Sequence, residues 1–342
     1  MKQKLLGKNL TELKEIVKEL SLPSFTATQI AQWLYQKRVR DISEMTNLSK
    51  SAREKLSEIY EVGHTQYAQS FKSVDGTKKY LFPVEGSERF IETVMIPDGD
   101  RSTVCVSCQV GCKMGCKFCM TGRQGFHGHL DAAQILSQFM DIDEGEILTN
   151  AVFMGMGEPL DNYDNISRVI DVLTSTWGFG WSPKRITLST VGIIPMLERF
   201  LKESKCHLAV SLHNPFGAQR AELMPMQKPY PIEDVINLIK KFDFTGQRRV
   251  SFEYIVFSGV NNFKAHSDEL VRLLKGLECR VNLIRFHAIP NSPLKTTSDA
   301  EMEQFKDRLN SQGLLTTIRA SRGEDIFAAC GLLSGEKSKN RC

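Results

Sequence analysis

The sequence predicts an α/β protein, a partial (βα)6 TIM-like barrel preceded by a small helical module and a β-meander. Three observations carry this. The opening segment spaces its apolar side chains at helical intervals. The next segment alternates at the period of a strand. From about residue 102, strand-like and helix-like segments take turns six times.

In NLTELKEIVKEL (9–20), Leu10, Leu13, Ile16, Val17 and Leu20 share one helical face, with Asn9 or Thr11 as the candidate cap. Residues 26–38 and 50–60 predict two more helices, so a helical accessory module is expected over 1–63. Residues 66–74, 77–84 and 88–97 alternate and are rich in aromatic and β-branched residues. Asp75-Gly76 signals a type I′ hairpin, and a meander over 64–97 follows. Candidate strands at 102–107, 149–154, 184–190, 206–212, 249–256 and 279–286 are separated by helical patterns such as 131–144, 164–175, 231–242 and 263–275. Six units fall short of a closed eight-fold barrel. A barrel open on one side is expected, with an open doubly wound sheet as the competing arrangement. Either puts functional residues at the C-terminal ends of the strands. A last strand (314–320) and helix (324–334) complete a core over 98–342, and the tail EKSKNRC is expected to be solvated and mobile.

Composition narrows the class. With 342 residues, 41% hydrophobic and 25% charged, the chain is neither disordered nor collagen-like. No apolar run approaches the ~18 residues of a membrane span. The N-terminus MKQKLLGKNLTELKEIVKEL lacks the apolar core of a signal peptide, so a cytoplasmic location with no membrane contact is expected. The net charge of +4 permits a nucleic-acid partner without demanding one. Nine cysteines, mostly clustered, point to metal binding or catalysis rather than a disulfide framework.

Five of them fall in CVSCQVGCKMGCKFC (105–119). Cys112, Cys116 and Cys119 form C-x3-C-x2-C after the first barrel strand, with Gly111 and Gly115 free to wrap a bulky group. Three thiolates can hold three irons of a [4Fe–4S] cube and leave the fourth open. The run is too compact for two zinc knuckles. Its spacings also differ in order from the ferredoxin pattern, although Cys108 could supply a fourth ligand.

CVSCQVGCKMGCKFCMTGRQGF, FMGMGEPLDN (153–162), ITLSTVGIIP (186–195), LAVSLHNP (208–215), VNLIRFHAIP (281–290) and RGEDIFAACG (322–331) together resemble the RlmN/Cfr group of radical S-adenosylmethionine (SAM) RNA methylases. MTNLSK (45–50) and DGTKKYLF (75–82) extend the resemblance over nearly the whole chain. It implies a barrel of the radical SAM type and one [4Fe–4S] cluster held by Cys112, Cys116, Cys119 and SAM. It also implies two SAM per turnover. Cys330 would accept a methyl group, become a carbon radical and add to C2 of an adenine. Cys105 would then attack the Cys330 sulfur, release the product and leave a transient Cys105–Cys330 disulfide. Glu92 would accept the C2 proton. Gly157, Glu158, Ser189, Ser211, Leu212, His213 and His287 match SAM-contacting positions. The implied substrates are adenine 2503 of 23S rRNA and adenine 37 of certain tRNAs. A flavodoxin- or ferredoxin-type electron donor and a thioredoxin-type reductant are the implied helpers.

The residues also have plainer readings. Cys330 could be a small buried residue in a helical turn, Cys105 a strand-core cysteine, Glu92 an exposed sheet residue and Glu158 a solvated carboxylate after a glycine turn. His127 and His129 read as exposed loop residues. Two positions depart from the family pattern, Cys108 where Ser is usual and His287 where Asn is common. SPKRITLSTVGIIP and VNLIRF lean toward the branch that methylates C8. MTNLSK, GEPLDN and the DGTKKYLF hairpin lean toward C2, which is the expectation. A noncatalytic iron–sulfur RNA-binding protein is the reading from another class.

Overall fold

The structure, a computed structural model, describes residues 2–244, 246 and 248–335. The tail 336–342, for which a solvated end is expected, lies outside the described residues. The N-terminal module contains β1 (Gln3–Lys4), α1 (Leu10–Glu19), α2 (Thr26–Ala31), α3 (Lys50–Ile59) and β2 (Tyr60–Glu61), with β1 and β2 paired in parallel. Asn9 is the cap of α1: its Oδ1 accepts from Glu12 N–H, and Glu12 returns the bond to Asn9 N–H. The helix expected over 26–38 changes at Gln32–Gln36 into a π-helical turn.

The meander strands β3 (Gln69–Lys72), β4 (Lys78–Pro83) and β5 (Phe90–Asp98) pair antiparallel. The hairpin forms, but its turn is not type I′. Ser73 N–H bonds Thr77 O and Gly76 N–H bonds Ser73 O, so Val74, Asp75 and Gly76 make a three-residue loop. Only Gly76 needs a left-handed backbone, at φ 85°. Asp75 can keep an ordinary conformation because its carboxylate accepts from Thr77 N–H at 2.9 Å.

β6 (Arg101–Cys105) pairs antiparallel with β5 and starts the parallel run. After the small hairpin β7 (Gln109–Gly111) and β8 (Phe126–His129), with α4 (Met120–Arg123) inside it, come α5 (Ala132–Met140), β9 (Asn150–Phe153), α6 (Tyr163–Thr174) and β10 (Ile186–Thr190). They are followed by α7 (Ile194–Glu203), β11 (His207–Ser211), α8 (Gly217–Leu223), α9 (Ile232–Ile239), β12 (Val250–Val256), α10 (Lys264–Leu274), β13 (Arg280–Arg285), α11 (Asp299–Ser311) and β14 (Thr316–Ile318). The strand order is β14-β13-β12-β11-β10-β9-β6-β5-β4-β3. The six expected barrel strands, the added strand and the meander therefore share one sheet. That is the partial barrel the sequence predicts, parallel and extended by an antiparallel meander.

One hydrophobic core runs from Leu5, Leu13 and Leu34 of the module to Phe153 and Phe252 of the barrel. Helix α5 lies between them, and eight of its nine residues are buried, as expected of a helix covered on all sides. Polar ties cross the same seam. His64 Nδ1 and Asp141 Oδ2 are 2.8 Å apart, Thr65 N–H donates to Ser137 Oγ at 2.9 Å, and Arg40 pairs with Asp141. Among the described residues, no helix is long and apolar enough to cross a membrane.

The helix expected over 324–334 is absent. Only Glu324–Ile326 forms a short 3-10 turn. Gly323, Phe327 and Gly331 adopt left-handed conformations (φ 64°, 53° and 84°), which an α-helix cannot contain. Residues 323–335 instead form an irregular strap carrying Cys330.

Candidate active site

The C-terminal ends of the parallel strands open into a cavity with about 150 Å³ of room for water-sized molecules. Cys112, Cys116, Cys119, Gly157, Glu158, Ser189, Ser211, His213, Glu253, Arg319 and Cys330 all contribute to its wall.

The cysteine run divides structurally. Cys105 and Cys108 belong to the main core, whereas Cys112 and Cys116 belong to a second apolar cluster with Phe118, Met224 and Phe257. Cys108 is 2% exposed and does not line the cavity, so its thiol serves packing. The loop bearing the other three is tied at both sides. Cys112 N–H bonds Gly125 O at 2.9 Å and Lys117 N–H bonds Leu223 O at 3.0 Å. At Gly111 a Cβ would lie 1.9 Å from Gly125 O, so this glycine permits the close approach of β7 and β8. Burial pushes the Cys112 thiol up to about 12, and it raises Cys116 and Cys119 as well. Metal binding must therefore displace protons here. Among the described residues, no three His, Cys, Asp or Glu side chains are grouped to hold a single ion. Three thiols along one cavity wall, set in apolar surroundings, suit an iron–sulfur cluster.

Glu158 is not solvated. It is 3% exposed, and its carboxylate accepts from Thr190 Oγ1 at 2.6 Å, Val191 N–H at 3.0 Å and Leu160 N–H at 3.1 Å. Burial outweighs these bonds and pushes its pKa up to about 7. A cationic ligand group in the cavity would complete the pairing. Gly157 has φ 103°, and a Cβ there would meet Gln109 Cβ at 2.5 Å. Gly157→Ala is expected to cost about 1–3 kcal/mol, lowering the melting temperature by several degrees in a thermal scan. An unchanged melting temperature would show that the site relaxes freely.

His213 stands beyond β11 with φ 56°. Ile255 N–H donates to its Nδ1 at 3.0 Å, so Nε2 carries the proton of the neutral ring. Burial and the Arg220 charge hold its pKa down at about 3. Ser189 and Ser211 line the cavity, whereas Leu212 points into the main core and offers its N–H to Glu253 O at 3.0 Å. His287 does not line the cavity; its Nε2 lies 3.0 Å from Ser321 Oγ. His127 and His129 are exposed, on strand β8 rather than a loop.

Glu92 is 1% exposed, not a surface residue. Its Oε1 accepts from Gly335 N–H at 2.8 Å and Ser334 N–H at 3.3 Å. Its buried Oε2 has no hydrogen-bond partner and lies 3.6 Å from Lys79 Nζ. Burial raises its pKa against the pull of Lys79. Cys330 is exposed on the strap, and burial pushes the Cys105 thiol up to about 12, with the nearby Cys330 adding to it.

Sequence reading overlooks three groups. Thr190, in the quoted ITLSTVG block, holds the Glu158 carboxylate. Arg220 is fully buried and donates to Leu212 O, Ser211 O, Val191 O and Gln227 Oε1, bracing two strand ends. Arg319 pairs with Glu253 at 3.4 Å and lies in reach of both Cys330 and Cys105; burial opposes its charge, but these neighbours hold its pKa above the ordinary value. Position just past a strand end was the available signal for Arg319.

Comparisons with known proteins agree with this geometry. Residues 3–62 match the ribosomal RNA large subunit methyltransferase N-terminal domain, and residues 106–307 match the radical SAM superfamily. A "Probable dual-specificity RNA methyltransferase RlmN" of Porphyromonas gingivalis is 56% identical over 336 residues, 98% of each chain. The "Dual-specificity RNA methyltransferase RlmN" of Syntrophus aciditrophicus is 42% identical, covering 96% of this chain and 95% of its own. A crystal structure of a radical SAM methyltransferase from Sphaerobacter thermophilus superposes with a TM-score of 0.91 at 38% identity, covering 98% of this chain and all of that one. With a cavity walled by three cysteines at the strand ends and relatives matching end to end, the chain belongs to the RlmN family of radical SAM methyltransferases.

Proposed function

We propose that this chain methylates C2 of adenine in RNA, in 23S rRNA and in tRNA, by way of an S-methyl group on Cys330. The observation that supports it most is that Cys105 and Cys330, far apart in sequence, lie near enough to each other and to Arg319 for their charges to interact, with Arg319 and Cys330 on the cavity wall beside the cluster cysteines.

Carbon 2 of adenine is electron-poor, so it does not attack a methyl sulfonium, whereas a carbon radical can add to it. When bound at Cys112, Cys116 and Cys119, a [4Fe–4S] cluster with SAM supplies a methyl group in one role and a 5′-deoxyadenosyl radical in the other. Gly157, Glu158, Ser189, Ser211 and His213, which line the cavity, would hold SAM, with the Glu158 carboxylate available to its amino group; Leu212 turns into the core and His287 lies off the cavity wall, so neither is given a contact with it. Cys330 gives up its thiol proton and accepts the methyl group by displacement. After losing one hydrogen atom, its S-methylene carbon adds to the adenine. Glu92, whose Oε2 accepts no hydrogen bond and faces Lys79 and whose pKa is raised by burial, accepts the C2 proton. Cys105 gives up its thiol proton and attacks the Cys330 sulfur; the carbon–sulfur bond breaks, the freed methylene takes up a proton to become the methyl group, the one surplus electron of the adduct would pass back to the bound cluster, and a Cys105–Cys330 disulfide closes. Two electrons from a thioredoxin-type reductant reopen it, and a flavodoxin- or ferredoxin-type donor serves the cluster.

The N-terminal module is assigned to gripping folded RNA while the target base is splayed into the barrel mouth. The deciding experiment digests RNA treated with reconstituted enzyme to nucleosides and analyses them by mass spectrometry. 2-Methyladenosine from both rRNA and tRNA is expected. 8-Methyladenosine alone would move the chain to the other target atom, and no methylated adenosine with either RNA would overturn the enzymatic reading.

A further inference from the structure

The block DGTKK has no place in the chemistry above, yet it touches the strap at its beginning. Asp75 Oδ2 accepts from Gly323 N–H at 2.9 Å while Oδ1 accepts from Thr77 N–H at 2.9 Å. The strap returns the contact. Asp325 Oδ1 accepts from Ser73 Oγ at 2.5 Å and Oδ2 accepts from Val74 N–H at 3.1 Å. Lys79 Nζ donates to Phe327 O at 3.4 Å and also faces Glu92. Burial opposes the charge on Asp75, but the amides of Gly323 and Thr77 hold its pKa down at about 2, so the carboxylate is ionised at neutral pH and its bonds are charge-assisted.

The far end of the strap is fastened elsewhere. Met120 N–H donates to Gly331 O and Thr121 Oγ1 to Leu333 O, each at 2.8 Å, just after the last cluster cysteine. Cys330 thus hangs between two anchors, the hairpin tip and α4. Phe327 is held left-handed at φ 53°, a conformation that a bulky residue keeps only where its surroundings enforce it.

We propose that Asp75 and Asp325 are positioning residues: through the β3–β4 hairpin tip they clamp the start of the strap and set where the Cys330 sulfur sits relative to Cys105. The inference rests on Cys330 being the methyl carrier, but its geometric part can be tested separately.

The test uses cluster-loaded, full-length protein under anaerobic conditions, with Asp75→Ala, Asp75→Asn and Asp325→Ala, and Lys72→Ala on the exposed side of β3 as control. Diamide is added and the Cys105–Cys330 link is followed by peptide mass spectrometry. The two thiols lose two protons and two electrons, and diamide is reduced to the hydrazine. The alanine variants are expected to form the link at least tenfold more slowly than the parent and the control. Asp75→Asn, which keeps one acceptor, should be intermediate. In turnover, kcat should fall in the same order with KM for RNA unchanged, which general loosening of the fold would not produce. Should an alanine variant not fold, Asp75→Asn carries the test. Wild-type linking rates and kcat in the folded variants overturn the clamp. If the clamp variants slow the link while Cys330→Ala still methylates RNA, the clamp stands and the methyl-carrier reading falls.

Discussion

Cys330→Ala is expected to abolish RNA methylation, by a factor of about 10⁴ or more, as removal of a covalent nucleophile does. The fold should survive, because Cys330 is exposed on an irregular strap and contributes little to either apolar core. Melting temperature should therefore match the parent while nucleoside analysis finds no methylated adenosine. Normal turnover in this variant would remove Cys330 from the mechanism. A small packing cysteine would show the opposite pattern, with lost stability and retained turnover.

Cys105→Ala is expected to stop the reaction one step later. Without a thiol to attack the Cys330 sulfur, the RNA adduct has no exit, and protein and RNA should migrate together on a denaturing gel. Mass spectrometry should map the linkage to Cys330, and the double variant with Cys330→Ala should show none. Free product at normal yield would refute the resolving role. Cys105 is buried on β6 with a pKa pushed up to about 12, so its thiolate forms only with help. The Arg319 guanidinium, in reach of both sulfurs, is the group placed to provide it.

The alternation of strand and helix from residue 102 was enough to predict the barrel, because period and chain order are local properties. Two departures from the predicted structure share one cause. Local preference predicts the Asp75-Gly76 turn and the 324–334 helix, yet each segment answers to the other: Asp75 binds Gly323, and Asp325 binds the hairpin tip. Contacts between residues so distant in sequence leave no periodic mark. Burial hid in the same way. Glu92 sits in an alternating strand where an outward-facing carboxylate is ordinary, and only the strap lying over it makes it a core residue. Arg319 has no motif of its own, and it matters because the fold brings it near enough to Cys105 and Cys330 for its charge to act on both. The separation of Cys108 from its neighbours likewise needs the third dimension, since spacing alone leaves it a possible ligand.

The continuous core through α5 bears on how substrates are chosen. A module joined by a loose tether can reach in many directions, and the choice is then one of affinity. Here the module shares its apolar interior with the barrel, so it cannot swing independently. On the proposed grip it would work as a ruler: RNA held there would be presented at one fixed span from the barrel mouth, and two unrelated RNAs would qualify if a loop adenine lay at that same span from the gripped surface. Exchanging modules between relatives would accordingly require moving α5 with them.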